Sequence, residues 1–154
     1  MPTNRGIKGT EVLERALSEL KGKFDFELTI KEGVTHEDAL RHISSAHLVV
    51  DEVGDVAHTG VKGRLNVLAL EAMMMGRPVV TNIGPGLMER YPGSGVMNVD
   101  VQGPSLKERL IEALSNREML EERGIKGREY VLRHHDPQKV ALQVQGLYEA
   151  HLRI

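Results

Sequence analysis

An isolated acid in an apolar segment is the first sign of chemistry in this sequence. Glu71 is the only acidic residue between Arg64 and Gly76, and its neighbours are mainly leucine, valine, alanine and methionine. Burying an unpaired carboxylate costs on the order of several kcal/mol. Glu71 therefore needs either a structural partner, such as an arginine or a loop, or a polar binding site to face. The residues alone leave both readings open.

Two cations near the amino terminus lie in a setting that suits a phosphate. Lys8 and Gly9 precede the predicted start of a helix, and Arg5 comes shortly before them. A helix N-terminus carries free N–H groups and a partial positive charge, and a nearby cation strengthens its attraction for anions. The same spacing would also fit if Lys8 and Arg5 were ordinary solvent-exposed surface residues. The phosphate site is therefore a hypothesis.

A turn-forming segment, Gly63-Arg64-Leu65-Asn66, opens the apolar stretch that contains Glu71. Glycine and asparagine tolerate positive φ, so backbone N–H groups in this segment could face an anion. The sequence contains no Walker loop, G-x-G-x-x-G motif or Ser–His–Asp order, and its seven histidines show no metal-ligand spacing. No metal site is predicted, and His58 is the histidine closest to the expected ligand-binding edge.

Length and composition restrict the class of protein. A chain of 154 residues suits one domain over 1–154, and its formal charge of −2 argues against nucleic acid as a partner. The absence of cysteine excludes disulfides and thiolate chemistry. No apolar run approaches the length of a transmembrane segment, and the first residues do not resemble a signal peptide. We therefore expect a cytoplasmic protein.

Predicted helices and strands alternate along the chain. Helices are predicted from a Thr10 cap to Gly22, from a Thr35/Asp38 capping box to Ser45, over 64–75, from a Ser105 cap, over 117–133 and from Pro137, with a helical turn at 87–91. Strands are predicted over 24–30, 47–53, 78–83 and 96–101. This order is typical of a doubly wound, Rossmann-like parallel sheet in three layers. Because few residues precede the first helix, the first strand of such a sheet is expected to be truncated.

The predicted sheet places the candidate residues at one edge. Ligands of doubly wound sheets bind beyond the carboxyl ends of the strands. Those ends are the segments 30–33, 53–63 and 82–86, with Lys8 and Gly9 leading into the first helix.

The segment LNVLALEAMMMGRPVVTNIGPG resembles the carboxyl-terminal half of group 1 glycosyltransferases. Leu70-Glu71-Ala72-Met73, Gly76 and Pro78-Val79-Val80 match the family pattern L-E-A-M-A-x-G-x-P-V-V in order and spacing. Lys8-Gly9 matches the K-G that precedes the first helix in the family. The resemblance extends over nearly the whole chain.

The resemblance implies the donor-binding domain of a GT-B enzyme, which is typically retaining and metal-independent and uses a sugar nucleotide as substrate rather than a cofactor. It implies that Glu71 binds the donor ribose, that Lys8 neutralises the pyrophosphate, with Arg5 the nearest arginine, and that backbone amides of the donor loop face the phosphates. That loop comprises Gly63, Arg64, Leu65, Asn66 and Val67.

The chain departs from the family at two positions of the donor site. Gly63 stands where the first glutamate of the family's E-x7-E motif is expected, and Thr3 stands where its arginine is expected. The catalytic residues are unknown, because the family's amino-terminal domain normally supplies the acceptor site. We therefore expect this chain to lack that domain, to be inactive alone, and to form a homo-oligomer if its sheet edge is free.

Two other functions remain open from the residues. One is a nucleotide-sugar binding module without transferase activity, which Gly63 favours. The other is a receiver-like signalling domain, in which Asp51, Glu52 and Asp55 would cluster around magnesium and a phosphoacceptor. Substitution of Asp51 is expected to matter for a phosphoacceptor and little for a sugar-nucleotide site.

Overall fold

A computed structural model describes residues 5–54, 64–84, 87–99 and 105–152, with only the backbone of Ile7. Over these ranges the helices are α1 Arg5–Lys8, α2 Thr10–Ser18, α3 His36–Ser45, α4 Val67–Met74, α5 Leu106–Ser115, α6 Arg117–His134 and α7 Pro137–His151. The strands are β1 Val49–Val50, β2 Val79–Thr81 and β3 Met97–Asn98, and a 3-10 turn spans Met88–Arg90. Thr3, Asp55, His58, Gly63 and most of the predicted loop 54–63 lie outside the described residues.

The three described strands form a parallel sheet in the order β1-β2-β3. Val49 pairs with Val79 across the first pair of strands, and Val80 pairs with Met97 across the second. The central strand is completely buried, as expected for a parallel strand made of valines. The chain is thus a helix-rich α/β protein around a small parallel sheet, consistent with a Rossmann-like fold.

The two faces of β2 belong to different apolar clusters. Val79 packs in a cluster with residues of α3, α4 and α6, whereas Val80 packs in a cluster with residues of α2 and α5. Successive side chains of a strand point to opposite faces, which explains the division. The sheet therefore separates two sets of helices.

Helix starts follow the capping chemistry of the sequence at several positions. Thr35 accepts a hydrogen bond from the Asp38 amide, and Ser105 forms a complete capping box with Glu108. The Ser105 cap and the Thr35 cap are confirmed, but the Thr35/Asp38 capping box is incomplete, because the Asp38 carboxylate accepts a hydrogen bond from the Thr35 hydroxyl instead of the Thr35 amide. The Thr10 cap is wrong: Gly9 is the N-cap of α2 with φ 72°, and Thr10 is a buried residue inside the helix.

The predicted strand over 24–30 is wrong, because only an isolated bridge joins Lys21 to Phe24. Most side chains of this segment are exposed, and no described strand lies beside it to complete a hydrogen-bond ladder. A strand needs such a neighbour, whatever its intrinsic propensity. The three other predicted strands are confirmed in place but are two or three residues long.

Helix α6 approaches the β2 region through glycines. Gly124 lies against the backbone of Gly76, and Gly127 lies against the Met73 side chain of α4. Helix α7 differs, because none of its residues is buried.

Candidate ligand-binding site at the carboxyl end of β1

Lys8 is brought to the carboxyl end of β1 by its own backbone. The Lys8 carbonyl oxygen accepts a hydrogen bond from the Val53 amide at 3.1 Å. Gly9 makes this approach possible, since a side chain at that position would overlap the backbone of Gly54, and its φ of 72° is left-handed. The lysine of the predicted phosphate site therefore lies beside the end of the sheet.

Two acids follow β1 and bind the Lys8 ammonium group. Lys8 Nζ lies 2.7 Å from Asp51 Oδ1 and 3.1 Å from Glu52 Oε1. The Asp51 side chain is only 1% exposed, against 32% for Glu52. Partial burial alone would lower the pKa of Lys8, but the hydrogen bond and charge of Asp51, joined by those of Glu52, outweigh it and raise that pKa. Lys8 is therefore a protonated cation at neutral pH.

Asn66 joins the same cluster from the start of α4. Its Nδ2 lies 3.4 Å from Asp51 Oδ2, so Asp51 is contacted by two of the predicted site residues, Lys8 and Asn66. Asn66 is the N-cap of α4, yet its side chain makes no capping hydrogen bond, and its φ of −77° is extended rather than positive. Asn66 therefore enters α4 as an ordinary extended cap and does not use the positive φ that asparagine tolerates.

The remaining described loop residues separate into buried and exposed positions. Leu65 is buried in the core, whereas Arg64 and Val67 are exposed. No acidic residue of the described ranges pairs with Arg64. Leu65 thus fixes this segment to the core, while the side chains of Arg64 and Val67 are exposed to solvent.

Glu71 is paired with a histidine rather than an arginine. His36 Nε2 and Glu71 Oε1 are 2.6 Å apart, which links the first residue of α3 to the middle of α4. The Glu71 side chain is 26% exposed and that of His36 is 70% exposed. The carboxylate therefore satisfies its need for a partner and still reaches the surface.

Arg5 does not join this cluster. Its guanidinium contacts Glu32 at 2.9 Å and Glu14 at 3.1 Å, and all three side chains are substantially exposed. Exposed pairs of this kind contribute about 0–1 kcal/mol each. In this structure Arg5 therefore pairs with acids at the surface and does not contact Lys8.

Two further features mark the carboxyl ends of β1 and β2. Glu52 has a φ of 20°, the only positive value for a non-glycine among the described residues. Its carbonyl accepts a hydrogen bond from the Asn82 amide at 2.9 Å, which extends the pairing beyond β2. Asn82 Oδ1 is buried with no hydrogen-bond partner among the described residues. Buried polar atoms normally have one, so this edge holds an unused acceptor.

The sequence suggested Asp51 and Glu52 only as acids of the alternative magnesium site, so their contacts with Lys8 were not predicted, and His36 was not predicted as a site residue at all. An acid directly after an apolar strand, as in the VVD of residues 49–51, was a usable signal for Asp51. His36 gave no signal, because its contact with Glu71 joins residues that are 35 positions apart. Among the described residues no group of three or more histidines, cysteines or acids could hold a metal ion.

The fold of this chain is similar to that of part of a solved sucrose-phosphate synthase, a glycosyltransferase from Thermosynechococcus elongatus, with a TM-score of 0.62 and 22% sequence identity. The match covers 92% of this chain and 33% of that protein, so the chain spans about a third of its length. No family model and no curated protein matches the sequence.

Among the described residues, no helix combines the length and apolarity that a membrane crossing would require.

Proposed function

We propose that this chain is the donor-binding domain of a group 1, GT-B glycosyltransferase that transfers a sugar from a sugar nucleotide with retention of configuration and without a metal ion. One observation carries the proposal: Lys8 and Asn66, which are 58 positions apart in the sequence, meet on Asp51 at the carboxyl end of β1. Ligands of doubly wound sheets bind at this edge. The glycosyltransferase-like fold of the chain supports the same function.

Each proposed donor contact follows from the chemistry of its residue. Lys8 has three ammonium hydrogens and directs two of them at Asp51 and Glu52, so a pyrophosphate oxygen can bind the third or displace Glu52 from its own. The amides at the start of α4, next to Asn66 and Val67, offer free N–H groups to the same anion. Glu71, held through Oε1 by His36, accepts hydrogen bonds from the ribose hydroxyls.

The proposed domain organisation places the acceptor elsewhere. We infer that residues 1–154 form one three-layer domain and that the acceptor and the catalytic residues belong to a second domain. A cleft with a single wall neither orients an acceptor nor excludes water, so the isolated chain should turn over little or nothing.

The decisive experiment is calorimetric titration of the chain with UDP, GDP, ADP and their common sugar conjugates. We expect one base to be preferred, and Glu71→Ala to weaken that binding by about tenfold, the loss of one charge-assisted hydrogen bond. Glu19→Ala is the matched control, because it removes an exposed acid that pairs with Lys107 on α5. Failure of every nucleotide to bind the folded wild type would reject the proposal, as would equal effects of the two substitutions.

A second candidate function is a nucleotide-sugar binding module without transferase activity. Gly63 favours it, because the family's first glutamate near the donor sugar is absent at that position. Addition of an acceptor-binding domain from a relative, followed by measurement of sugar transfer and donor hydrolysis, separates the two functions. Binding that persists without either reaction would favour the module.

A further inference from the structure

The two carboxylates that bind Lys8 are not equivalent. Asp51 lies 2.7 Å from the ammonium nitrogen and its side chain is 1% exposed, whereas Glu52 lies 3.1 Å away and is about a third exposed. Buried ion pairs resist separation, since removal of one partner leaves an uncompensated charge away from water. Exposed pairs exchange readily with water. The same lysine therefore has one permanent partner and one replaceable partner.

Asp51 is held at both its backbone and its side chain. Its amide donates to the Val80 carbonyl at 2.9 Å, which ties it to the central strand. Its second oxygen, Oδ2, faces Asn66 Nδ2 at the start of α4. A change at Asp51 would thus release both Lys8 and the N-cap of α4.

Glu52 occupies the outward side of the Lys8 ammonium group. One cation and two carboxylates leave this trio with a net negative charge, which repels an approaching anion. Because the Glu52 side chain is partly exposed, it can turn to solvent without burying an unpaired charge. A singly charged anion that takes its place leaves the net charge around Lys8 unchanged, whereas an anion that binds while Glu52 stays in place makes that charge more negative.

We propose that Asp51 is a positioning residue that holds Lys8 and Asn66 together, and that Glu52 competes with the ligand's anionic group for Lys8. The role of Glu52 rests on the proposed function, whereas the role of Asp51 concerns only contacts within the chain. The inference also reverses the expectation that substitution of Asp51 would matter little for a sugar-nucleotide site.

Two isosteric variants test the proposal because they remove the same charge from neighbouring residues. Relative to wild type, we expect Asp51→Asn to weaken binding of the preferred nucleoside diphosphate by about five- to twentyfold, and Glu52→Gln to strengthen it by about three- to tenfold. Changes in the same direction for both variants would overturn the inference while leaving the proposed function intact. Thermal melts of both variants establish that they are folded.

A second measurement reads Lys8 without any nucleotide. In protein labelled with ¹³C-lysine, the Lys8 Cε signal is assigned by its loss in Lys8→Arg, and the pKa of the unmodified ammonium group is determined by NMR titration. We expect Asp51→Asn to lower this pKa more than Glu52→Gln does, because the buried partner acts through less water. An equal or smaller decrease in Asp51→Asn would overturn the positioning role, even if no nucleotide binds.

Discussion

Lys8 shows how much of this site depends on single residues. Its carbonyl is fixed by Val53, its ammonium group by Asp51 and Glu52, and Gly9 supplies the close approach that brings them together. Asp51 would be a buried, unpaired carboxylate without this lysine. The ion pair is therefore a structural requirement of the chain as well as part of the proposed site.

The first prediction concerns this ion pair and pH. Lys8→Met should lower the free energy of unfolding at pH 7 by about 2 kcal/mol, because it leaves Asp51 buried without its cation. The raised pKa of Lys8 means that its contribution is complete below the unfolded lysine value of about 10.4 and is lost as pH rises through the higher folded value.

Urea unfolding of wild type and Lys8→Met from pH 7 to 11 provides the measurement. The difference in free energy of unfolding between wild type and Lys8→Met should stay constant up to about pH 10 and decrease above it. Lys107→Met is the control, since that lysine pairs only with an exposed acid, Glu19, among the described residues. If the difference in free energy of unfolding is the same at pH 7 and pH 11, the Lys8–Asp51 ion pair does not stabilise the protein as predicted.

At the scale of elements, two of the three predicted helix caps, Thr35 and Ser105, are confirmed, whereas Gly9 takes the place of the predicted Thr10 cap. Ser105 and Thr35 each accept a hydrogen bond from the amide three residues ahead. These contacts are local in sequence, so residue types alone indicate them. The strands are less predictable, because each depends on neighbours that come from elsewhere in the chain.

The second prediction concerns the Ser105 cap. Ser105→Ala should destabilise the protein by about 1 kcal/mol, because the capping box of α5 loses its hydroxyl acceptor. Chemical denaturation is the measurement, and Ser115→Ala at the exposed end of the same helix is the control, with an expected effect within about 0.5 kcal/mol. Equal losses in both variants would show that the cap does not stabilise α5.

The third prediction compares two helical glycines. A methyl group at Gly124 would overlap the carbonyl oxygen of Gly76, so Gly124→Ala should cost about 2–4 kcal/mol. Gly146 in α7 has open space around it, and Gly146→Ala should stabilise the protein by about 0.5–1 kcal/mol through helix propensity.

Thermal and urea unfolding of the two glycine variants measure the contrast. Both substitutions add the same methyl group to a helix, so opposite signs isolate the packing of α6 against the turn at Gly76. A stabilised Gly124→Ala would mean that α6 does not approach this turn in solution.

At the scale of the whole molecule, α7 stands apart from the core. None of its residues is buried, and Leu142, Leu147 and Tyr148 are each more than half exposed. Helix α4, in contrast, contains three buried residues, Ala69, Ala72 and Met73. Packing supplies most helical stability in proteins, so the two helices should differ strongly in local stability.

The fourth prediction is that difference in local stability. In hydrogen exchange measured by mass spectrometry, amides of α7 should exchange at least about 100-fold faster than those of α4. Equal protection in a dilute sample would contradict the prediction. Protection of α7 that increases with protein concentration would instead indicate that copies of the chain pair through α7 and not through the sheet edge.

The sequence by itself determined the caps at Thr35 and Ser105, the order of the helices and of three of the four predicted strands, and the presence of candidate residues before and within the helix of Glu71. These features rest on local patterns of apolar, capping and turn-forming residues. Only the tertiary structure decided that 24–30 lacks a strand partner, that Arg5 pairs with Glu14 and Glu32, and that Glu71 meets His36. It also placed Asp51 between Lys8 and Asn66. The physical reason is that such contacts join residues far apart in the chain, and their geometry is set by how the helices pack on the sheet.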